Sequence, residues 1–313
     1  MTGAKPRKRD APNLCIALKK FTKEKDFLRE VNNLGRIRGV RSCKHITQSL
    51  ATFQQAVDVD ENIYYIMFPF AEGGDLDNFW ESRNNQPRSS RLILWSLQQM
   101  LGLADALQGL HNEINQGSET NCRHGDLKPQ NILHFLNHGE AIGILKIGDF
   151  GISSIHNTQT FARQDIPTDT RATTPSYEAP EASPTLQQER ARSRKYDLWS
   201  LGCIYLEFVI WLVEDWKAIE EFKKSRATGL KGENLFYRMT NGVATVHPTV
   251  VAKILALKEL LNCTPHTPLG KLLTLIETCL LVVDVADRID SLELCSRLHK
   301  IVEVATTAHS GSA

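Results

Sequence analysis

The chain has 313 residues, enough to bury a sizeable core and to hold two lobes or domains. Its 42% apolar and 23% charged residues are ordinary for a soluble globular protein, and a net charge of +1 sets up no global field favouring nucleic acid or an acidic membrane. Seven cysteines, at 15, 43, 122, 203, 263, 279 and 295, form no Cys-x-x-Cys pair and no zinc-like spacing, so they read as reduced thiols of a cytoplasmic or nuclear protein.

Residues 1–13 are basic and carry no apolar run, so they read as a disordered N-terminus and not a secretory signal. Lys5 to Arg9 is either a nuclear address or a solvated basic tail. Alternation from Asn13 to Lys20 predicts a strand with Leu14, Ile16 and Leu18 on one face and Cys15, Ala17 and Lys19 on the other. Phe27, Val31 and Leu34 then recur at helical spacing, which places Glu30 at the edge of the inward face. A carboxylate there is costly unless a cation meets it, and Lys19 is in position to do so. Lys19 is otherwise an exposed strand-end lysine beside Lys20 and Lys23.

Two further strands are predicted over Ile46 to Gln54 and Asn62 to Phe68, joined around Asp58 to Glu61. The second runs into Pro69-Phe70-Ala71-Glu72-Gly73-Gly74-Asp75-Leu76, a strand ending in a Gly-Gly turn. Apolar residues at 93, 97, 100, 104 and 107 predict an amphipathic helix from Leu92 to His111. Ile132-Leu133 and Leu145 to Ile147 read as short strands around a polar turn, Asn137 to Glu140. Gly151 to Ala179 is polar, rich in Thr and Ser, and long for a loop in a compact domain, which marks it as functional or mobile. From Asp197 a helix apolar almost all round belongs at the centre of a core. Its run from Leu198 to Val213 is interrupted by Glu207 and is short for a bilayer span. Helices and loops follow, with apolar runs at 251–261, 271–283 and 292–302, and then a disordered tail over 303–313.

The polar residues of Arg123 to Gly151 carry chemistry. Asp126 and Asn131 are five apart with Lys128 between them, and Asp149 follows the strand-like Ile144-Leu145-Lys146-Ile147. A carboxylate, an ammonium, an amide and a second carboxylate suit phosphoryl transfer, which needs positioning and charge neutralisation more than covalent help. One carboxylate can orient or deprotonate a hydroxyl, the ammonium can meet the moving phosphoryl, and the amide and second carboxylate offer hard oxygens to magnesium.

His124-x-Asp126-Leu127-x-x-x-Asn131, then Asp149-Phe150-Gly151, then Ala179-Pro180-Glu181 resembles the signature set of the eukaryotic protein kinases, over roughly Leu14 to Val302. The resemblance implies an α+β, bilobal kinase-like fold, with an incomplete β-rich small lobe over 14–70 and a larger, mainly helical lobe over 71–302. It implies ATP and Mg2+ as cofactors, with Asp126 and Lys128 catalytic and Asn131 and Asp149 on the metal. It places nucleotide contacts at Ala17, Lys19, Glu30, Phe68, Ala71, Asp75 and Leu133. Ile16-Ala17-Leu18-Lys19 is similar to the family's Val-Ala-Ile-Lys strand, and Lys19–Glu30 to its activating ion pair. Phe68 would back the purine pocket and Asp75 would reach the ribose. Pro69 has no N–H, so the adenine donor would come from Ala71. Thr174 would bond Asp126 and Lys128, and Arg288 would pair with Glu181.

The chain departs from the family in two places. Residues 1–13 contain one glycine, Gly3, so the Gly-x-Gly-x-x-Gly hairpin expected before the lysine strand is missing from this sequence, which is either a truncated fragment or that of a protein without this lid. Gly125 stands where many regulated kinases have the arginine that anchors a phosphorylated loop. The resulting reading is a Ser/Thr protein kinase acting on protein hydroxyls, as a monomer, without nucleic-acid or membrane partners. The alternative is a catalytically weak kinase-fold binding or scaffold protein; a small-molecule phosphotransferase is disfavoured by Ala179-Pro180-Glu181.

Overall fold

The computed structural model describes residues 15–38, 43–58, 61–112, 120–136, 141–150, 154–157, 175–183, 193–227 and 234–310. The expectations for residues 1–13, the turn at 137–140 and Thr174 lie outside them.

In the smaller lobe β1 (Ile16–Phe21) is followed by α1 (Glu24–Ile37), β2 (Ala51–Asp58) and β3 (Glu61–Pro69), and the strands form one antiparallel sheet in the order β1-β3-β2. The alternation of β1 holds, but its more apolar face is the solvent face: Ile16 and Leu18 are exposed while Ala17, Lys19 and Phe21 turn inward. Three contacts set that facing. Phe21 meets Phe27 edge-on at 5.9 Å, Phe27 stacks on Tyr64 at 5.1 Å, and Lys19 reaches Glu30 of α1. On α1, acidic Glu24 and Asp26 sit in the first turn and Arg36 in the last, matching the helix dipole. Its buried stripe is Glu30, Asn33, Leu34 and Ile37, so Glu30 lies within the inward face and not at its edge.

The strand expected over 46–54 begins later. Ile46, fully buried, makes a single parallel bridge to Ile147 of the larger lobe, and Thr47 N donates to the Ile147 carbonyl at 2.8 Å. That crossing holds 46–47 against the larger lobe, and pairing with β3 starts at Ala51.

The larger lobe contains α2 (Leu76–Ser82), α3 (Ser90–Asn112), β4 (Thr120–Arg123), β5 (Ile132–Phe135), β6 (Ile144–Ile147), β7 (Ser154–Asn157), α4 (Lys195–Val213), α5 (Trp216–Arg226), β8 (Tyr237–Thr240), β9 (Val243–Val246), α6 (Pro248–Lys258), α7 (Pro268–Leu275) and α8 (Ser291–Ser310). Every residue of α4 from Tyr196 to Leu212 is buried, so this helix is the lobe's centre. Caps start its neighbours: Asp215 accepts from Ala218 N at 2.8 Å for α5, and Thr267 accepts from Gly270 N at 3.1 Å for α7.

Three expectations for this lobe are corrected. The loop read over 151–179 contains β7, which pairs antiparallel with β4. The stretch read as helices and loops after α4 contains the β8–β9 hairpin, turned by Asn241 and Gly242 at φ 51° and 79°. The tail read as disordered from 303 continues α8 to Ser310. Ala305 is buried and α8 packs along α3, while Thr306, Thr307 and Ser310 satisfy their hydroxyls on the carbonyls of Val302, Glu303 and Thr306.

Candidate active site

The β5–β6 pair sets the geometry. Ile132 faces Ile147, and Gly148 N donates to the Asn131 carbonyl at 2.8 Å, so Asn131 and Asp149 emerge at one end of the pair. Asn131 closes the 3₁₀ turn Pro129–Asn131 and folds back on the loop before it. Its Nδ2 donates to the Asp126 carbonyl at 2.7 Å and to Asp126 Oδ2 at 3.2 Å. Lys128 Nζ lies 3.0 Å from the same Oδ2. Asp126, Lys128 and Asn131 are thus one cluster.

Asp197, at the start of α4 and fully buried, holds the loop from beneath. One oxygen accepts from His124 N at 2.8 Å and from His111 Nε2 at 3.1 Å, and the other accepts from Gly125 N at 2.9 Å. Burial alone would push this carboxyl up, but the His111 bond and the nearby His111, His124 and Arg123 hold it below the usual carboxylate range. Gly125 has φ 84°, a left-handed backbone that glycine takes without a Cβ penalty, and this aims two consecutive N–H groups at one carboxylate. His124 then bonds the Gly148 carbonyl at 2.9 Å and packs edge-on against Phe150 at 5.2 Å, joining the loop to the Asp149 segment.

Asp149 has φ 55°, a strained conformation for a non-glycine residue that the surroundings must enforce. Its Oδ1 accepts from Lys19 Nζ at 2.6 Å, and the same ammonium bonds Glu30 Oε1 at 2.8 Å. The lysine therefore joins β1, α1 and the second carboxylate at the junction of the lobes.

Ala17 faces Phe68 across β1 and β3, two residues from the Lys19↔Ile66 pair, so both side chains lie on the Lys19 side of the sheet. Phe70 and Ala71 lead out of β3, and Gly73 N donates to the His134 carbonyl at 3.0 Å, tying the crossing to β5. Asp75 bridges Leu133 in the backbone, which brings the last two expected nucleotide contacts together. The Asp75 carboxylate caps α2: it accepts from Asn78 N at 2.9 Å while Asn78 Oδ1 accepts from Asp75 N at 3.2 Å. Asp75 thus carries a local structural duty that the motif did not suggest.

Glu181 meets Arg288 in a two-pronged pair, Nη1–Oε1 2.8 Å and Nη2–Oε2 3.0 Å, although the Glu181 side chain keeps 20% of its surface in solvent and is not fully buried. A second anchor of the same segment was missed. Tyr177 donates to Glu207 Oε2 at 2.7 Å, and Arg226 Nη2 donates to Oε1 at 3.3 Å, with its guanidinium 3.9 Å from the ring centres of both Phe222 and Phe236. Burial pushes Glu207 up and Arg226 down, each opposed by the other's charge. Glu207 interrupting an apolar run was the signal; nothing local pointed to Arg226 as its partner.

Among the described residues no group of three or more His, Cys, Asp or Glu is placed to hold a metal. Asn131 and Asp149 fit a hard cation that takes one or two protein oxygens and completes its shell with phosphates and water.

A sheet lobe crossing to a helical lobe, with lysine, two carboxylates and an asparagine at the junction, defines a phosphotransferase architecture. The protein kinase domain model matches residues 8–290, and the chain belongs to that family, whose members use ATP and typically Mg2+ to modify proteins. It is 37% identical over 198 residues to the human serine/threonine-protein kinase ULK3, covering 62% of this chain and 34% of that one. It is 28% identical over 221 residues to human serine/threonine-protein kinase Nek2 (70% and 44%), and 32% identical over 146 residues to the probable serine/threonine-protein kinase nek3 of Dictyostelium discoideum (46% and 11%). The chain spans less than half the length of these relatives.

Proposed function

We propose that the chain is a Ser/Thr protein kinase that moves the γ-phosphoryl group of ATP to a Ser or Thr hydroxyl of a protein substrate. The observation that carries this reading is the Lys19 ammonium held between Glu30 and Asp149, 2.8 Å and 2.6 Å away, beside the Asp126–Lys128–Asn131 cluster. In this reading Lys19 takes the α- and β-phosphates, with Glu30 fixing its position. Asp126 orients the acceptor hydroxyl and accepts its proton, and Lys128 neutralises the phosphoryl group in transit. Asn131 and Asp149 would hold magnesium, which would supply charge neutralisation to the phosphates when bound. Ala17, Phe68 and Leu133 line the purine, the Ala71 backbone meets its edge, and Asp75 reaches the ribose with the oxygen its cap leaves over.

Preference for Ser and Thr is supported by Lys128 two residues after Asp126 and by the similar proteins, which are serine/threonine-protein kinases by name. The protein acts as a monomer in the cytoplasm or nucleus, a placement that rests on its scattered cysteines. The test is transfer from γ-labelled ATP to a generic protein acceptor, followed by phosphoamino-acid analysis. Label on Ser and Thr is expected. Label on Tyr overturns the class, and no transfer at saturating Mg-ATP hands the case to a scaffold.

A further inference from the structure

Glu30 and Asn33 lie one helical turn apart on the buried face of α1, 1% and 6% exposed. Glu30 holds Lys19, and Lys19 holds Asp149. Asn33 Nδ2 donates at 3.1 Å to the carbonyl of Phe150, the residue directly after Asp149. These bonds close a ring: from α1 through Lys19 to Asp149, along one peptide to Phe150, and back to α1.

The two sides of the ring differ in chemistry. The Lys19 side is made of charges that bound ligands compete for, because phosphates attract the ammonium and a divalent cation attracts the Asp149 carboxylate. The Asn33 side is a neutral bond from a buried amide to a main-chain oxygen, and neither ligand competes for it. It also acts on the peptide that follows a strained residue, Asp149 at φ 55°, whose conformation persists only under restraint from its surroundings. We propose that Asn33 is a positioning residue: its bond to Phe150 keeps α1, and with it Glu30, seated on the Asp149 segment after ligands have drawn Lys19 and Asp149 apart. The consequence for turnover rests on the kinase reading above, whereas the tether itself is a property of the free protein.

The test compares wild type, Asn33→Leu, which is close in size without the donor, and Asn33→His, which returns an N–H at similar reach. In steady-state transfer, Asn33→Leu is expected to lose about tenfold in kcat with KM for ATP within about twofold, and Asn33→His to recover most of the loss. In hydrogen exchange, the amides of α1 should be protected equally in wild type with and without Mg-ATP. In Asn33→Leu they should exchange faster chiefly when Mg-ATP is present. Should Asn33→Leu not fold, Asn33→Ser, whose donor is too short to reach, carries the same comparison. Unchanged kcat, or exchange raised equally with and without ligand and not restored by histidine, overturns the proposal in favour of plain packing. A ligand-free arm keeps the tether separate from the kinase reading: Lys19→Met removes the charged side, and the Lys19→Met/Asn33→Leu double variant should loosen α1 by more than the two single changes combined. If wild type transfers no phosphate, the kinase reading fails, while an additive double variant is what sinks the tether.

Discussion

Removing the Arg288 side chain tests how the Ala179-Pro180-Glu181 segment is held. Arg288 is 1% exposed and makes two bonds to Glu181, one to the Lys195 carbonyl at 2.8 Å, one to the Val282 carbonyl at 2.9 Å and a longer one to the Val283 carbonyl at 3.4 Å. Arg288→Ala deletes all of them. Leaving one member of a buried pair without its partner costs on the order of 3–5 kcal/mol. The 20% exposure of the Glu181 side chain moves that share to the low end. The three carbonyls that lose a charged donor add about 1 kcal/mol each if water does not replace it. The expected loss is therefore about 3–6 kcal/mol in urea unfolding at pH 7, the lower figure applying where water replaces the lost donors. Arg288→Met with Glu181→Leu removes both charges and fills the space, and should be milder than Arg288→Ala, giving a clear interaction energy in a double-mutant cycle. Near-zero and equal losses in single and double variants would refute the reasoning.

Gly125→Ala places a Cβ on a left-handed residue and should cost about 1–2 kcal/mol, with a fall in transfer because Asp126 is next in the chain; unchanged urea midpoint and activity would contradict this. His134 has its pKa lowered from 6.5, first by burial, against which its bond to the Ile142 carbonyl works only in part. A base depressed in the folded state contributes stability above about pH 6.5 that is lost as pH falls through the window below, because the unfolded chain takes the proton first. His134→Gln should therefore flatten part of the stability loss below about pH 6.5, to which His45 and His247, lowered in the same direction, also contribute. Parallel urea-midpoint profiles for variant and wild type would contradict it.

The candidate site residues were legible because they lie close in sequence. Asp126, Lys128 and Asn131 share one loop, and Asp149 follows a strand that pairs with the next residues of that loop. Lys19–Glu30 was legible through helical period and the cost of a carboxylate on an inward face. Pairings between distant elements were not. Arg226 reaches Glu207 across 19 residues and Asn33 reaches Phe150 across 117, and neither has a local pattern that names its partner. The strand at 51–58 was misplaced because Ile46 serves the larger lobe's core. The β8–β9 hairpin had its cue in Asn241-Gly242, which went unused beside stronger helical runs. The last turns of α8 were masked by Thr and Ser, whose hydroxyls bond back to the helix and allow it to continue.

In the proposed reaction two carboxylates at one junction have different duties, Asp126 for the acceptor hydroxyl and Asp149 for the metal. The direct measurement is Mg-ATP binding by thermal stabilisation, run beside γ-phosphate transfer, for wild type, Asp126→Asn and Asp149→Asn. Asp126→Asn should bind Mg-ATP as wild type does while transfer collapses, and Asp149→Asn should lose magnesium-dependent binding and transfer together. Transfer that persists unchanged in Asp126→Asn, or Mg-ATP binding unaffected by Asp149→Asn, would contradict the account.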